Sequence, residues 1–159
     1  MISKRLLSIL LLALGLALTA ASCGDDDNKS DDSGSSSISK AEFVKKGNAI
    51  CAKGNKEIDA QGEKMFGDQK QKPSDADLKK FSEEVLIPSV QKQVDGLRAL
   101  GAPAGDEDEV NAILDAAQQG IDEGKKDPLA LTQDNGDDPF QEANKLAREY
   151  GLTVCGSDN

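Results

Sequence analysis

The chain has 159 residues, with 29 Asp and Glu against 19 Lys and Arg, so its formal charge is −10. This length fits a single domain, and the acidic balance argues against nucleic-acid binding, since that affinity rests on neutralising phosphates. The chain contains no His, which removes most nucleophile–base pairs, proton shuttles and metal sites. Composition therefore argues against the common enzyme classes and does not by itself identify an activity.

Residues 1–22 have the pattern of a secretory signal peptide, which is absent from a mature protein. Lys4 and Arg5 form a positive start, and the apolar run Leu6–Ala21 ends in small residues before Cys23. This run is shorter than the about 20 apolar residues that a transmembrane helix needs. We therefore expect export of the chain and cleavage immediately before Cys23.

The segment Ala20-Ala21-Ser22-Cys23 resembles a bacterial lipobox, with Ala20 at the position where Leu is usual. The resemblance implies that the Cys23 thiol receives diacylglycerol and that acyl chains anchor the protein to the outer face of the cell membrane. The alternative is an ordinary secreted protein with an unlipidated cysteine near its start. An unpaired cysteine at the start of an exported chain is unusual unless it is modified or paired, which favours lipidation.

Residues 23–37 read as a lipidated cysteine followed by an acidic, Ser-rich tether. Gly24–Ser37 contains no large apolar residue, so this segment cannot bury enough surface to fold. A flexible chain of this length spans about 20 Å on average. Calcium binding by its Asp runs is an alternative, but the runs lack a Gly-turned loop with spaced ligands. We predict one folded domain over residues 38–159.

Helical periodicity predicts that this domain is all-α, an antiparallel up-down bundle of about four helices at approximately 39–66, 74–100, 106–124 and 139–150. In the first helix, Ser39 and Glu42 have the spacing of a capping box. Gly47 and Gly54 lie near its apolar face. The two glycines predict the close approach of another helix.

The second helix carries two apolar stripes whose positions differ by one residue. Leu78, Phe81 and Val85 belong to the first stripe, and the second begins at Leu86. The change falls next to Pro88, which lacks a backbone donor and clashes with the preceding turn. We therefore predict a kink at this point.

The third and fourth helices have their own start and stop signals. Asp106 begins the third helix, and Asp138 with Pro139 is expected to cap and begin the fourth. Gly151 after the fourth helix predicts a Schellman ending. The loop between these helices contains a candidate helical turn at Pro128–Leu131.

Cys51 and Cys155 are the two cysteines of the predicted domain. Because an exported protein folds in an oxidising compartment and both flanks are apolar, we predict a Cys51–Cys155 disulfide that closes the bundle. A reactive or redox role is the alternative, but neither thiol has the cation-rich or CxxC setting that lowers a thiol pKa.

The clustered acidic residues do not form a recognisable catalytic or metal site. Asp106–Glu109 lies at a helix start, where acids cap the backbone and complement the helix dipole. Asp134–Asp138 does not fit a calcium loop: with Gly136 at position six, Leu131 and Gln133 fall at positions one and three, where acids are required. Tyr150 is expected at the edge of the core. We assign no catalytic, cofactor-binding or metal-binding residue.

Three stretches of the mature chain together resemble small helical lipoproteins of actinobacteria, a group to which no activity is assigned. They are Ser39-Lys40-Ala41-Glu42-Phe43 leading to Cys51, Leu97-Arg98-Ala99-Leu100 through Pro103-Ala104-Gly105-Asp106-Glu107, and Tyr150-Gly151-Leu152 through Cys155-Gly156-Ser157. The resemblance implies a helical fold in the cell envelope and no catalytic residues.

These features favour a non-catalytic, lipid-anchored cell-envelope protein that acts as a structural or interaction module outside the membrane. Its expected partners are the membrane, through the lipid on Cys23, and an unidentified envelope protein or small molecule. The alternative is a small-molecule-binding lipoprotein with a ligand pocket between helices. An enzyme would have to rely on carboxylates alone, such as a glycosidase pair.

Overall fold

The structure is a computed structural model that describes residues 37–67, 72–132 and 138–157. The predicted signal peptide, the predicted lipidation site Cys23 and nearly all of the predicted tether lie outside these residues, as do residues 133–137 of the acidic loop before the last helix. Within the described ranges the chain is helical, without β-strands, as predicted. No helix among these residues has the length and apolar composition to cross a membrane.

The helices follow the predicted order along the chain. They are α1 (Lys40–Phe66), α2 (Asp75–Phe81), a π-helical turn (Ser82–Leu86), α3 (Ile87–Leu100), α4 (Glu107–Lys126), a 3₁₀ turn (Pro128–Leu131) and α5 (Gln141–Tyr150). Because α2, the π-helical turn and α3 are continuous, they form the second helix of the bundle. The predicted four-helix bundle is therefore confirmed.

Two glycines in α1 let α3 approach closely, and the contacts at these glycines show that α1 and α3 are antiparallel. A Cβ atom on Gly47 would lie 2.9 Å from a methyl carbon of Leu97, and one on Gly54 would lie 2.4 Å from Cδ of Gln93. Contacts that advance along α1 thus run backwards along α3. The predicted close approach of another helix at these two glycines is confirmed.

Short-range signals in the sequence define several helix ends. The Ser39 hydroxyl oxygen accepts a hydrogen bond from the Glu42 backbone N–H at 3.2 Å. Ser74 and Asp77 form a complete capping box at the start of α2. At the end of α5, Gly151 has a φ of 108°. The Leu152 N–H donates to the Ala147 carbonyl at 2.8 Å, which is the predicted Schellman ending.

The shift between the two apolar stripes corresponds to the π-helical turn. The Ile87 N–H donates to the Ser82 carbonyl, five residues earlier. A single π turn accommodates one extra residue within an α-helix. Pro88, which would clash with the carbonyl four residues before it in a regular α-helix, follows directly. The extra residue lets both stripes face the same side of the bundle.

α4 begins after Asp106 as predicted, but the capping of α4 and the start of α5 differ from the prediction. The Asp106 side chain does not cap α4, because its carboxylate accepts a hydrogen bond from the Tyr150 hydroxyl at 2.7 Å. Asp138 was predicted to cap α5, but its Oδ1 accepts from the Phe140 N–H and its carbonyl accepts from the Gln141 N–H. These bonds form a turn, so α5 begins two residues later than predicted.

The core lies between the helices and is closed by the predicted disulfide. Its fully buried side chains include Phe43, Ile121 and Leu152. The Cys51–Cys155 disulfide joins residues 104 positions apart, with a Cα–Cα distance of 5.1 Å. It ties the middle of α1 to the segment that follows α5, as the sequence predicted.

Candidate functional site: a cleft between the helices

A cleft of about 860 Å³ opens between the helices of the bundle. All four helices and the 3₁₀ turn contribute apolar side chains to its walls, among them Ile58, Phe66, Phe81, Val90, Ile113 and Leu131. Small-molecule sites commonly occupy about 300–1,000 Å³, have largely apolar walls and lie between bundle helices. The cleft therefore has the size, lining and location of a ligand site.

The π-helical turn gives the second helix a continuous apolar wall. Leu78 and Phe81, from before this turn, line the cleft together with Leu86 and Val90 from its end and beyond. In an uninterrupted α-helix the two groups would be rotated relative to each other, because one extra residue turns the helix by about 100°. Local backbone geometry thus contributes directly to the shape of the site.

Gln93 supplies a buried polar group to the cleft. It is only 9% exposed, and it packs against Gly54, where there is no side chain to displace it. Within the described part of the chain its side-chain amide has no hydrogen-bond partner. Because Gln93 lines the cleft, a hydrogen-bonding group on a ligand can pair with this amide.

A polar stripe on α1 continues from the buried part of the cleft towards solvent. Cys51, Asn55 and Asp59 all line the cleft and follow each other at four-residue spacing, so they share one helix face over about 12 Å. Cys51 is buried, Asn55 is half-buried and Asp59 is exposed. The side chains of Asn55 and Asp59 make no hydrogen bond or ion pair with another described residue.

The disulfide and Asn48 hold the segment after α5 against α1. Cys155 also lines the cleft. The Asn48 side chain donates to the Gly151 carbonyl at 3.2 Å and accepts from the Val154 N–H at 2.8 Å. Leu152 packs beside Gly47 and is 1% exposed. This segment therefore forms a fixed wall at the disulfide side of the cleft.

Of the acidic residues considered from sequence, Asp106 and Glu109 lie in a separate cluster at the start of α4. Lys40 Nζ lies 3.4 Å from an Asp106 carboxylate oxygen, 3.5 Å from one of Glu109 and 4.0 Å from the centre of the Tyr150 ring. The hydrogen bond from Tyr150 lowers the pKa of Asp106, and burial raises the pKa of Tyr150. Since none of these residues lines the cleft, we assign the cluster to the joining of α1, α4 and α5.

The cleft residues Gln93 and Asn55 were not singled out from sequence. Gln93 occupies a position of the apolar stripe that includes Val90, Val94 and Leu97, and a polar residue on a buried face is the signal that could have identified it. Asn55 follows Gly54 directly, on the face that approaches Gln93. Recognising Asn55 required knowing which helix faces α1.

Some of the groups that line the cleft are already bonded within the protein. Its cysteines are joined as a disulfide, and the Asp138 carboxylate accepts hydrogen bonds from Phe140 and Asn144. The described residues contain no cluster of three His, Cys, Asp or Glu that could hold a metal ion. No family model matches the chain, and no curated protein or solved structure matches it either.

Proposed function

We propose that this protein is a lipid-anchored binding protein of the bacterial cell envelope that holds a small, largely apolar molecule in the interhelical cleft. The signal-peptide pattern, the lipobox resemblance and the tether support the location. The observation that carries the binding function is a cleft of about 860 Å³ with apolar walls and a Gln93 amide that bonds to no other described residue.

Both features of the cleft favour ligand binding in physical terms. Apolar walls that face water gain about 25 cal/mol for each Å² that a ligand covers. The Gln93 amide gains a hydrogen-bond partner when a ligand supplies a donor or acceptor. A ligand that combines an apolar body with one polar group therefore matches the site better than a fully polar molecule.

The sequence favoured a protein that acts by contacting another envelope protein over one that binds a small molecule. The cleft reverses this preference. A protein that acts by contact needs an exposed patch whose apolar or charged character fits a partner. Among the described residues, no such patch is as well defined as the cleft. Small-molecule binding uses the cleft and the Gln93–Gly54 contact. We therefore place ligand binding first and keep protein contact as the alternative outcome of the experiments.

Binding can be tested with a neutral apolar dye whose fluorescence rises in apolar surroundings, such as Nile red. The protein would be exported with Cys23→Ser, so that the disulfide forms and lipid does not compete for the dye. Ala117 is half-buried and lines the cleft, so Ala117→Phe should fill part of it and weaken binding by tenfold or more.

Ala112→Phe is the matched control, because Ala112 is exposed on the same helix and does not line the cleft. This variant should bind the dye as the parent does, and circular dichroism should show that both variants are folded. Absence of saturable binding, or equal weakening by both substitutions, would contradict the proposal.

Anchoring at Cys23 needs a separate experiment. Cells expressing the full-length chain or its Cys23→Ala variant would be labelled with a palmitate analogue and fractionated. We expect the parent to be labelled in the membrane fraction and the variant to be unlabelled and released from it. Equal labelling, or retention of both proteins on the membrane, would contradict lipidation at this cysteine.

A further inference from the structure

We propose that the cleft selects apolar molecules with a cationic end and discriminates against anionic ones, with Asp59 as the group that contacts the cation. This inference rests on the proposed binding function and specifies the ligand class. It starts from the charged side chains that line the cleft, which are Asp59 and Asp138. No Lys or Arg of the described residues is among the lining groups.

The two carboxylates differ in how far they are engaged. The Asp138 carboxylate accepts hydrogen bonds from the Phe140 N–H at 2.8 Å and from the Asn144 amide at 3.5 Å. Asp59 has neither a hydrogen bond nor an ion pair with another described residue. Among the described lining residues, Asp59 is therefore the carboxylate available to pair with a charge on a ligand.

The polar stripe on α1 indicates how such a ligand would lie. Gln93 is nine-tenths buried and offers hydrogen bonds in the deeper part of the cleft. Asn55 follows, and Asp59 stands at the exposed end, one helical turn beyond Asn55. An elongated apolar molecule can cover the walls while its charged end reaches Asp59. A carboxylate or phosphate at that end would meet a like charge without a compensating Lys or Arg among the lining residues.

The inference can be tested with three ligands that share a ten-carbon chain: decylammonium, decanol and decanoate. Each would displace Nile red from the Cys23→Ser protein at pH 7.4 and low ionic strength. Attraction and repulsion at an exposed carboxylate each change affinity by at most a few-fold. We expect decylammonium to displace the dye at a concentration at least fivefold below that of decanoate, with decanol between them.

Charge-matched variants separate the role of Asp59 from the net negative charge of the chain. Asp59→Asn should remove most of the difference between the cationic and anionic ligands. Asp115→Asn changes the net charge equally, but Asp115 is exposed on α4 and does not line the cleft, so this variant should keep the difference. Equal effects of both substitutions would overturn the role assigned to Asp59.

The remaining outcomes distinguish this inference from the proposed function. If all three ligands displace the dye equally well, or decanoate does so best, the charge preference is wrong and the cleft remains a binding site. If the dye binds but none of the three ligands displaces it, the ligand class is wrong. If the dye itself does not bind saturably, the proposed function fails, and the inference fails with it.

Discussion

Breaking the Cys51–Cys155 disulfide should lower the free energy of unfolding by about 4–5 kcal/mol. The bond closes a loop between residues 104 positions apart, and in the chain-entropy model a loop of about 100 residues is worth about 4.7 kcal/mol. The two Asn48 hydrogen bonds and buried Leu152 would still hold the segment after α5. Most of the effect should therefore act on the unfolded chain rather than on the native contacts.

This loss is large for a domain of this size, since total stabilities are commonly about 5–15 kcal/mol. Urea unfolding followed by circular dichroism would compare the oxidised protein with the same protein in a phosphine reductant. With an m-value of about 2 kcal/mol/M, the midpoint should fall by roughly 2 M. Reduction keeps the side-chain volumes, so it avoids the cavity that Cys51→Ala would leave in the core.

A loss below about 1 kcal/mol on reduction would refute the loop-entropy reasoning, provided that the reduced protein remains folded in water. Asn48→Ala is the comparison for local anchoring. It removes two hydrogen bonds to the same segment without changing the connectivity of the unfolded chain. If Asn48→Ala costs as much as reduction, contacts in the native state rather than the closed loop account for the stabilisation.

Two further substitutions test the side-chain network and the second helix. The Tyr150 hydrogen bond lowers the pKa of Asp106, so its stabilising contribution is present above about pH 4 and is lost as the pH falls below that value. Tyr150→Phe should therefore lower the urea midpoint more at pH 7 than at pH 3, and equal losses at both would contradict this assignment. Deletion of Glu84 together with Pro88→Ala should remove the π-helical turn, restore one continuous apolar stripe and preserve a cooperative urea transition. Deletion of Asp95 is the control, because it rotates the apolar positions on either side of it out of register, and retained folding there would contradict the register argument.

Several features of the fold could be predicted because they depend on residues close together in the chain. The Ser39 cap acts within three residues and the Gly151 ending within five. The Cys51–Cys155 pair was predictable for a different reason, since the predicted domain contains only these two cysteines. The one-residue change in the apolar stripes located the irregularity beside Pro88, although the sequence predicted a kink where the structure has a π-helical turn.

The differences at the cap of α4 and at the start of α5 have separate causes. Asp106 has the sequence context of a helix cap, but Tyr150, 44 residues away, donates to it instead. Asp138 precedes Pro139 in a pattern typical of a helix start, yet its hydrogen bonds form a turn before α5. In both cases the local pattern identified the region of the helix start, and only for Asp106 is the side-chain partner a residue far away in the chain.

The sequence by itself determined the helical content, the approximate helix ends and the closing disulfide. Periodicity and caps depend on residues close together in the chain, and the disulfide could be predicted because the domain has only two cysteines. Only the tertiary structure decided that Gln93 packs against Gly54 and that Asn55 and Asp59 line the same cleft. Those relations depend on how α3 is placed against α1. Helix placement follows from many small packing contacts between residues far apart in the chain, so the shape of the cleft emerges only when the helices assemble.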